Sequence, residues 1–160
     1  MGAVQRIDAV TGQTLWKADS GQAKVLHLTD RHSDVLFVGS EEGNDQSPYY
    51  SGFQAFDLDT GEPVWSKPLR FRGALNPLMI STEQGLIVSE RTTGTGRIRL
   101  LDYATGKSLW GKKGKGIKAK GSIVDYDITE AGIILTTGFD SSWNDKGTEY
   151  LLYVLDAASG

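Results

Sequence analysis

A nine-residue pattern recurs along the chain and constrains the fold more than any other feature. Three copies read D-A-V-T-G-Q-T-L-W, D-L-D-T-G-E-P-V-W and D-Y-A-T-G-K-S-L-W, beginning at Asp8, Asp57 and Asp102. A fourth, D-A-A-S-G, runs from Asp156 to Gly160. The four aspartates are 49, 45 and 54 residues apart. A period in this range is typical of repeat architectures in which each repeat is one supersecondary unit.

Each copy of the pattern predicts a tight turn between two antiparallel strands. An Asp at the start of a turn accepts hydrogen bonds from backbone N–H groups ahead of it, and a Gly supplies the positive φ that closes the hairpin. The Trp after the turn buries a large ring while its N–H needs an acceptor, so we expect it to pack between neighbouring sheets beside its own turn. The predicted structural residues are Asp8, Gly12, Trp16, Asp57, Gly61, Trp65, Asp102, Gly106, Trp110, Asp156 and Gly160.

The spacing and composition together predict an all-β fold of four-stranded antiparallel blades. The 160 residues include 20 Gly and no long segment of helical periodicity, which is typical of short strands separated by turns. With the strands of a blade lettered A to D from the inside outward, residues 1–20 supply strands C and D. Residues 21–70 and 71–115 form whole blades, with strand D at 63–67 and 108–111, and residues 116–160 supply strands A to C.

This arrangement is a partial β-propeller, because closed propellers contain about four to eight blades. Two interpretations follow. The chain is one part of a larger ring, which we favour, or copies of it associate as a homo-oligomer to complete the ring. Exposed blade faces and strand edges would favour association in either case.

One copy carries a resemblance to a known family. Residues 55–65, A-F-D-L-D-T-G-E-P-V-W, resemble the A-x-D-x-x-T-G-x-x-x-W tryptophan-docking motif of the quinoprotein-type, or pyrroloquinoline-quinone-like, β-propeller repeats. The other copies replace the first Ala with Arg6, Leu100 and Val154. Similar repeats form the outer-membrane assembly lipoprotein propellers and the quinoprotein dehydrogenases. The resemblance therefore implies a propeller fold and a periplasmic or other extracytoplasmic location.

Charge and composition exclude several classes of function. The net charge of −3 provides no field that selects nucleic acid or an anionic membrane. The chain has no Cys, which excludes disulfides and thiolate chemistry. No apolar run is long enough to predict a membrane span, and no signal-peptide pattern occurs. We therefore expect neither a membrane span nor a signal peptide in these residues.

The longer loops are the candidate sites for partner binding. Successive turns of a meander alternate between the two ends of a blade, so the B–C loops at 41–51 and 138–148 share an end with the D–A loop at 111–121. Functional residues tend to lie on loops carried by a rigid scaffold. The candidate partner-binding residues are Glu41, Asp45, Tyr49, Tyr50, Lys112, Lys113, Lys115, Asp140, Trp143 and Asp145.

Alternative interpretations of these loops invoke a bound ion. Calcium needs six to eight oxygen ligands in a set order, and neither B–C loop contains D-x-[DN]-x-[DN]-G, so we favour solvated polar loops and predict no metal site. The lysine-rich D–A loop could surround an anion with N–H groups and ammonium charges. It lacks the phosphate-binding pattern, because Ile117 follows Gly116 where Lys is required. A flexible cationic loop is the favoured interpretation.

No catalytic residue is predicted. His27 and His32 form no recognisable metal set. The resemblance to the dehydrogenases implies a quinone and its calcium over the central channel, but none of their ligands maps onto this chain. Glu90 and Arg91 are nearest in position, and a surface ion pair explains them better. We predict no cofactor here; pyrroloquinoline quinone with calcium would belong only to a larger parent protein.

The leading hypothesis is a non-catalytic interaction or scaffold module that presents a loop face to a protein or peptide, or contacts the remaining blades of a propeller. The first alternative is a fragment of a quinone-dependent dehydrogenase. The second is the ligand-sensing ectodomain of a receptor. Because one fold hosts many functions, the repeat itself does not choose among these hypotheses.

Overall fold

The chain is almost entirely β-structure, which confirms the predicted all-β fold. The structure is a computed structural model, and it describes residues 3–19, 25–32, 34–42, 50–72, 74–75, 78–91, 94–140 and 148–160. Within these ranges lie several small antiparallel sheets and one 3₁₀ turn, consistent with a partial β-propeller. The chain divides into two compact units, residues 1–72 with 104–106, and residues 73–103 with 107–160.

The first unit contains two antiparallel sheets. Strands β1 (Ala3–Ile7) and β2 (Thr14–Asp19) form a two-stranded sheet. A four-stranded sheet in the order β3–β4–β5–β6 follows. Its strands are β3 (Val25–His32), β4 (Val35–Glu42), β5 (Tyr50–Asp57) and β6 (Leu69–Arg72).

The second unit also contains two antiparallel sheets. One has the order β11–β10–β9–β7, with β8 also paired to β9. The other has the order β12–β13–β14. The strands are β7 (Ala74–Leu75), β8 (Ile80–Ser81), β9 (Leu86–Arg91), β10 (Thr95–Leu101), β11 (Ile117–Lys120), β12 (Ser122–Thr129), β13 (Gly132–Asp140) and β14 (Thr148–Leu155).

The outer strand of each larger sheet differs from the prediction. Residues 63–67 and 108–111 form only single bridges, Phe56 to Pro63 and Leu101 to Ser108, before the chain leaves the sheet edge. Pairing resumes in β6 and β11. In the first of these sheets, residues 64–68 therefore leave the ladder opposite only two residues of β5, 54–55. In the second, residues 109–116 leave the ladder opposite residues 99–100 of β10. Each of these excursions carries its Trp out of the ladder and into the core.

This break also moves residues that the sequence placed in a loop. Residues 117–120, predicted within the D–A loop, form β11 and pair with β10. They therefore complete the outer edge of the sheet that contains β9 and β10, whereas the predicted blade boundary lay at residue 116. The B–C loops are also shorter than predicted, since β4 reaches Glu42 and β5 begins at Tyr50.

The core of the first unit is rich in aromatic rings. Phe37, Phe53 and Trp65 are buried, with ring centroids 5.5–6.0 Å apart. On the other face of the four-stranded sheet, Val38 and Phe56 pack with Val4 of the two-stranded sheet. Alternating residues of one strand therefore serve opposite faces of the sheet, as strand geometry requires.

The core of the second unit lies between its two sheets. The sheet that contains β9 and β10 contributes buried apolar side chains. The sheet of β12, β13 and β14 contributes the apolar side chains on the face that it turns toward this core. The members are Ile80, Ile87, Ile98, Leu100, Trp110, Ala119, Ile123, Ile133, Leu135 and Leu155. The two sheets therefore share one apolar core, and its burial stabilises this unit.

In the residues that the structure describes, no helix is long and apolar enough to cross a membrane.

Candidate interaction surface

The motif turns that begin at Asp8, Asp57 and Asp156 are built by the same hydrogen bonds. Asp8 Oδ1 accepts from the N–H of Val10 at 2.9 Å, the N–H of Thr11 at 2.7 Å and the hydroxyl of Thr11 at 2.9 Å. Asp57 accepts three equivalent bonds at 2.8–3.0 Å, and so does Asp156. The carboxylate thus fixes its own turn.

These bonds change the acidity of the turn carboxylates. The backbone N–H of Thr11 is the largest cause that lowers the pKa of Asp8 below 3.8, its ordinary value. The N–H groups of Thr60 and Ser159 are likewise the first causes that lower the pKa of Asp57 and of Asp156. Hydrogen bonds to the charged form favour ionisation. A carboxylate held in this way is a poor proton acceptor at neutral pH.

Each motif Trp packs against the turn of the following copy. The ring of Trp16 lies over Gly61, where a Cβ would come within 2.6 Å of ring carbons, and its Nε1 donates to the Leu58 carbonyl at 2.8 Å. The ring of Trp65 lies over Gly106 in the same way, with 2.5 Å to an added Cβ. These glycines have φ of 76° and 67°, so both the space and the backbone conformation require Gly.

The third Trp repeats this contact in the second unit. The ring of Trp110 lies against Gly160, and its Nε1 donates to the Ala157 carbonyl at 3.1 Å. We expected each Trp beside its own turn. The structure instead leaves Gly12, in the turn that precedes Trp16, with no atom of the described residues within 4 Å of an added Cβ. The offset of Trp from Gly along the chain could not reveal which turn the ring would meet.

One departure from the repeat motif has a local explanation. Arg6 stands where the matching copy has Ala55. Its Nη1 donates to the Leu58 carbonyl at 2.9 Å and forms an ion pair with Asp59 at 2.6 Å. The Arg therefore contacts the same following turn that receives Trp16, which adds a polar link at that position.

The lysine-rich segment forms a bulge at the outer edge of its sheet. Lys112–Gly114 is a 3₁₀ turn, and Lys113 has a left-handed backbone with φ 58°. The Gly116 N–H donates to the Trp110 carbonyl at 2.9 Å, and Arg97 Nη1 donates to the Lys115 carbonyl at 3.1 Å. We predicted a flexible loop at the end of a blade. The structure shows a hydrogen-bonded excursion midway along the edge, with its lysines exposed.

The structure describes only part of the predicted loop face. Glu41 lies in β4 opposite Ser51, and Tyr50 begins β5. Asp140 ends β13 opposite Thr148. Asp45, Tyr49, Trp143 and Asp145 lie outside the described residues, so their role in partner binding stays a prediction. In the part of the chain that is described, no group of three or more His, Cys, Asp or Glu could hold a metal ion.

Glu90 forms an ion pair with Arg99; the side chain of Arg91 lies outside the described residues, so its pairing with Glu90 stays a prediction. Oε1 of Glu90 lies 3.3 Å from Nη2 of Arg99, and the two side chains are only 16% and 14% exposed. Burial lowers the pKa of Arg99, and the charge of Glu90 opposes that shift. The pair is partly buried, so loss of either charge would leave the other poorly solvated.

The last sheet exposes an apolar face that the sequence analysis missed. Tyr150, Leu152 and Val154 alternate along β14 and are 65–67% exposed. By register, Val154 lies beside Ile134, and Val124 of β12 approaches Gly138 on the same side. We call this surface the outer apolar face; its members are Val124, Ile134, Tyr150, Leu152 and Val154.

Repeat positions show that this exposure is unusual for the chain. Leu152 stands four residues before its motif Asp, and Val4, Phe53 and Ile98 at the same position are all buried. Val154 corresponds to Ala55 and Leu100, which are buried, and to Arg6, which is partly buried. Aligning the four copies marks these positions as apolar and covered, because their counterparts are buried, but it cannot show that the face is exposed here.

Residues 1–128 match a PQQ-type repeat family described as outer membrane protein assembly factor BamB. The chain belongs to this family. The matched residues of the PQQ-type repeat include the first three motif copies, which confirms the resemblance drawn from residues 55–65. A search of the curated proteins found no match.

Proposed function

We propose that this chain is a non-catalytic protein-interaction module of a PQQ-type propeller, and that the outer apolar face is its principal partner contact. The observation that carries the proposal is the exposure of Leu152, at a repeat position that is buried in the other three copies, together with the exposure of its neighbour Val154. Contiguous exposed apolar side chains mark protein-interaction sites, since isolated soluble surfaces rarely keep them.

The family description supports a protein as the partner. It names an outer membrane protein assembly factor, a role that is exercised on other proteins. By that relationship we also propose an extracytoplasmic location. A second copy of this chain and the remaining blades of a propeller are partners of the same kind, because both present β-sheet faces.

The chemistry of the described residues supports a module without catalysis. The motif carboxylates are committed to their own turns by three hydrogen bonds each in the copies that begin at Asp8, Asp57 and Asp156. Glu90 is engaged with Arg99. These acids have structural roles. The groups that can contact a partner are the exposed lysines Lys112, Lys113 and Lys115 and the outer apolar face.

Site-specific photo-cross-linking in cells that produce the protein tests the proposal. A benzoylphenylalanine at position 152 should give a discrete protein adduct. The matched control is position 109, because Leu109 is also apolar and exposed in the same unit but lies outside the outer apolar face.

The adduct at position 152 should fall when Val154→Lys is added, because a charge on the same strand face opposes apolar contact. Equal adducts at positions 109 and 152, or no protein adduct at position 152, would contradict the proposed function.

A further inference from the structure

The segment between Trp110 and β11 is longer and more cationic than its counterpart in the first unit. It comprises residues 111–116, whereas only residues 66–68 separate Trp65 from β6. Its three lysines, all of them exposed, are Lys112, Lys113 and Lys115. We call residues 111–116 the lysine bulge.

We propose that the lysine bulge is a docking site for an acidic segment, rich in Asp and Glu, of a protein partner. The inference rests on the proposed function, since it supposes a protein partner, and it adds a contact whose chemistry differs from that of the outer apolar face. Complementary charge acts mainly on encounter and orientation. The bulge should therefore raise the rate at which the partner associates.

The lysine bulge is already formed without a partner. The Gly114 N–H donates to the Gly111 carbonyl at 3.0 Å, and the Gly116 N–H donates to the Trp110 carbonyl at 2.9 Å. These bonds close the segment into a turn that projects its lysines from the sheet edge. Binding would not have to order the backbone, and this lowers its cost.

Lys113 has a backbone conformation that favours glycine. Its φ is 58°, and every other residue with positive φ in the described part of the chain is a Gly. Its neighbours Gly111, Gly114 and Gly116 have φ between 66° and 77°. A side chain with a Cβ destabilises this conformation, so folding alone favours Gly at position 113 as well. Contact of the Lys113 ammonium group with a partner accounts for the exception.

The positive charges of the bulge are not neutralised within the chain. Lys120, farther along, forms an ion pair with Glu149 at 2.7 Å. Among the described residues, none forms an ion pair with the three bulge lysines. Two more cations adjoin the bulge, since Lys118 lies opposite Arg97 and Arg97 Nη1 donates to the Lys115 carbonyl. This local excess of positive charge attracts anionic groups.

The net charge of the chain favours a short acidic segment over an extended anionic surface. A bilayer or a nucleic acid would also interact with the chain as a whole, whose net charge is −3, and that interaction is repulsive. A short run of carboxylates approaches only the bulge, because charges farther away than about 8–10 Å are screened by salt. Each Lys ammonium group can donate to a separate carboxylate.

A peptide titration followed by NMR tests the site on the full chain. The probe is the acetylated and amidated peptide E-E-D-E-E-D. We expect saturable shifts of the Lys112, Lys113 and Lys115 amides. The Lys67 amide should not move, because Lys67 is the lone, exposed lysine of the shorter segment, and it serves as an internal control. Raising the salt from about 20 to about 200 mM should weaken binding at least about five-fold. The uncharged peptide Q-Q-N-Q-Q-N should not bind.

Two double variants separate the bulge from the overall charge. Lys112→Gln with Lys113→Gln should weaken peptide binding about five-fold. The matched control is Lys17→Gln with Lys67→Gln, which changes the net charge by the same amount at exposed lysines outside the bulge. It should bind within about two-fold of the parent, since isolated surface charges contribute little.

Lys113→Gly separates binding from folding. The variant should bind the peptide about two-fold more weakly, because one ammonium group is lost. It should also raise the urea midpoint, because Gly adopts positive φ without a Cβ. A merely structural role for Lys113 would leave peptide binding unchanged, and that result would contradict the proposal.

Other results would also overturn the inference. These are no saturable shift in the bulge, equal weakening by the two double variants, or undiminished binding by Lys112→Gln with Lys113→Gln. Sedimentation with vesicles of phosphatidylglycerol and phosphatidylcholine in equal parts, dependent on the bulge lysines and without peptide binding, would assign the site to lipid. In each case a cross-link from position 152 would still stand, so failure of this site is distinguishable from failure of the proposed function.

Discussion

Alanine substitution of three motif glycines should separate backbone strain from loss of the Trp contact. Gly12, Gly61 and Gly106 all have positive φ, between 67° and 76°, and all belong to the first unit. An Ala in this left-handed region costs about 1–2 kcal/mol at any of the three. Gly12→Ala should cost this amount alone, because its added methyl meets open space.

The other two substitutions should cost more because the new methyl group meets a ring. A Cβ at Gly61 would lie 2.6 Å from Trp16 ring carbon, and a Cβ at Gly106 would lie 2.5 Å from Trp65. The ring must move, and overpacking of this kind costs about 1–3 kcal/mol in addition. The expected loss in unfolding free energy is therefore about 2–5 kcal/mol for Gly61→Ala and Gly106→Ala.

Urea unfolding followed by far-ultraviolet circular dichroism measures these differences. The Gly12→Ala variant is the matched control, since the strain is common to all three and cancels on subtraction. Equal losses for the three variants would refute the claim that Trp16 and Trp65 rest on the following turns. An unchanged denaturant slope is needed for the comparison, because a slope change would indicate a different denatured or native state.

Three further predictions concern acid, quinone and association. The pKa values of Asp8, Asp57 and Asp156 lie below 3.8 in the folded chain, so their contribution to stability is present above that pH and is lost as pH falls through the lowered values. Asp57→Asn should therefore be less stable than the parent at neutral pH, and a pH series of urea midpoints should show the difference vanishing in acid; a difference that grows in acid would contradict this sign. Pyrroloquinoline quinone with calcium should leave Tm unchanged, since only ligands that bind the folded state raise it; a saturable rise would favour the dehydrogenase hypothesis. Light scattering should give a mass above that of one chain, reduced by Leu152→Lys with little change in stability; a monomeric parent chain would contradict association through the outer apolar face.

The sequence predicted the turns well because their causes are local. The carboxylate of Asp57 and the positive φ of Gly61 act within five residues, so a short motif contains all that the turn requires. The flanking strands followed from alternation and from the position of each turn. β14 begins at Thr148, the last residue of the predicted B–C loop.

The sequence could not predict features that depend on distant residues. The acceptor of the Trp16 N–H is 42 residues away, and nothing in the spacing indicates that the ring meets the next turn instead of its own. The outer strand is broken for a related reason. Trp65 and Trp110 leave the ladder to enter the core, and pairing resumes only at Leu69 and Ile117.

The candidate surface was predicted least well. The sequence analysis selected the polar B–C loops because they are long. The exposure of the apolar residues on β14 depends instead on whether another sheet covers that face. Leu152 and Ile98 are both apolar and hold the same repeat position, yet one is 67% exposed and the other is buried. Only the packing of sheets in space distinguishes them.

The contact between each Trp and the following motif is the central structural claim, and nuclear Overhauser effects test it most directly. Cross-peaks should join the Trp16 ring to the Gly61 Hα protons, the Trp65 ring to Gly106, and the Trp110 ring to Gly160, because each ring lies over that glycine. No cross-peak should join Trp16 to Gly12. Cross-peaks from Trp16 to Gly12 in place of Gly61 would show that the ring rests on its own turn and would contradict the account.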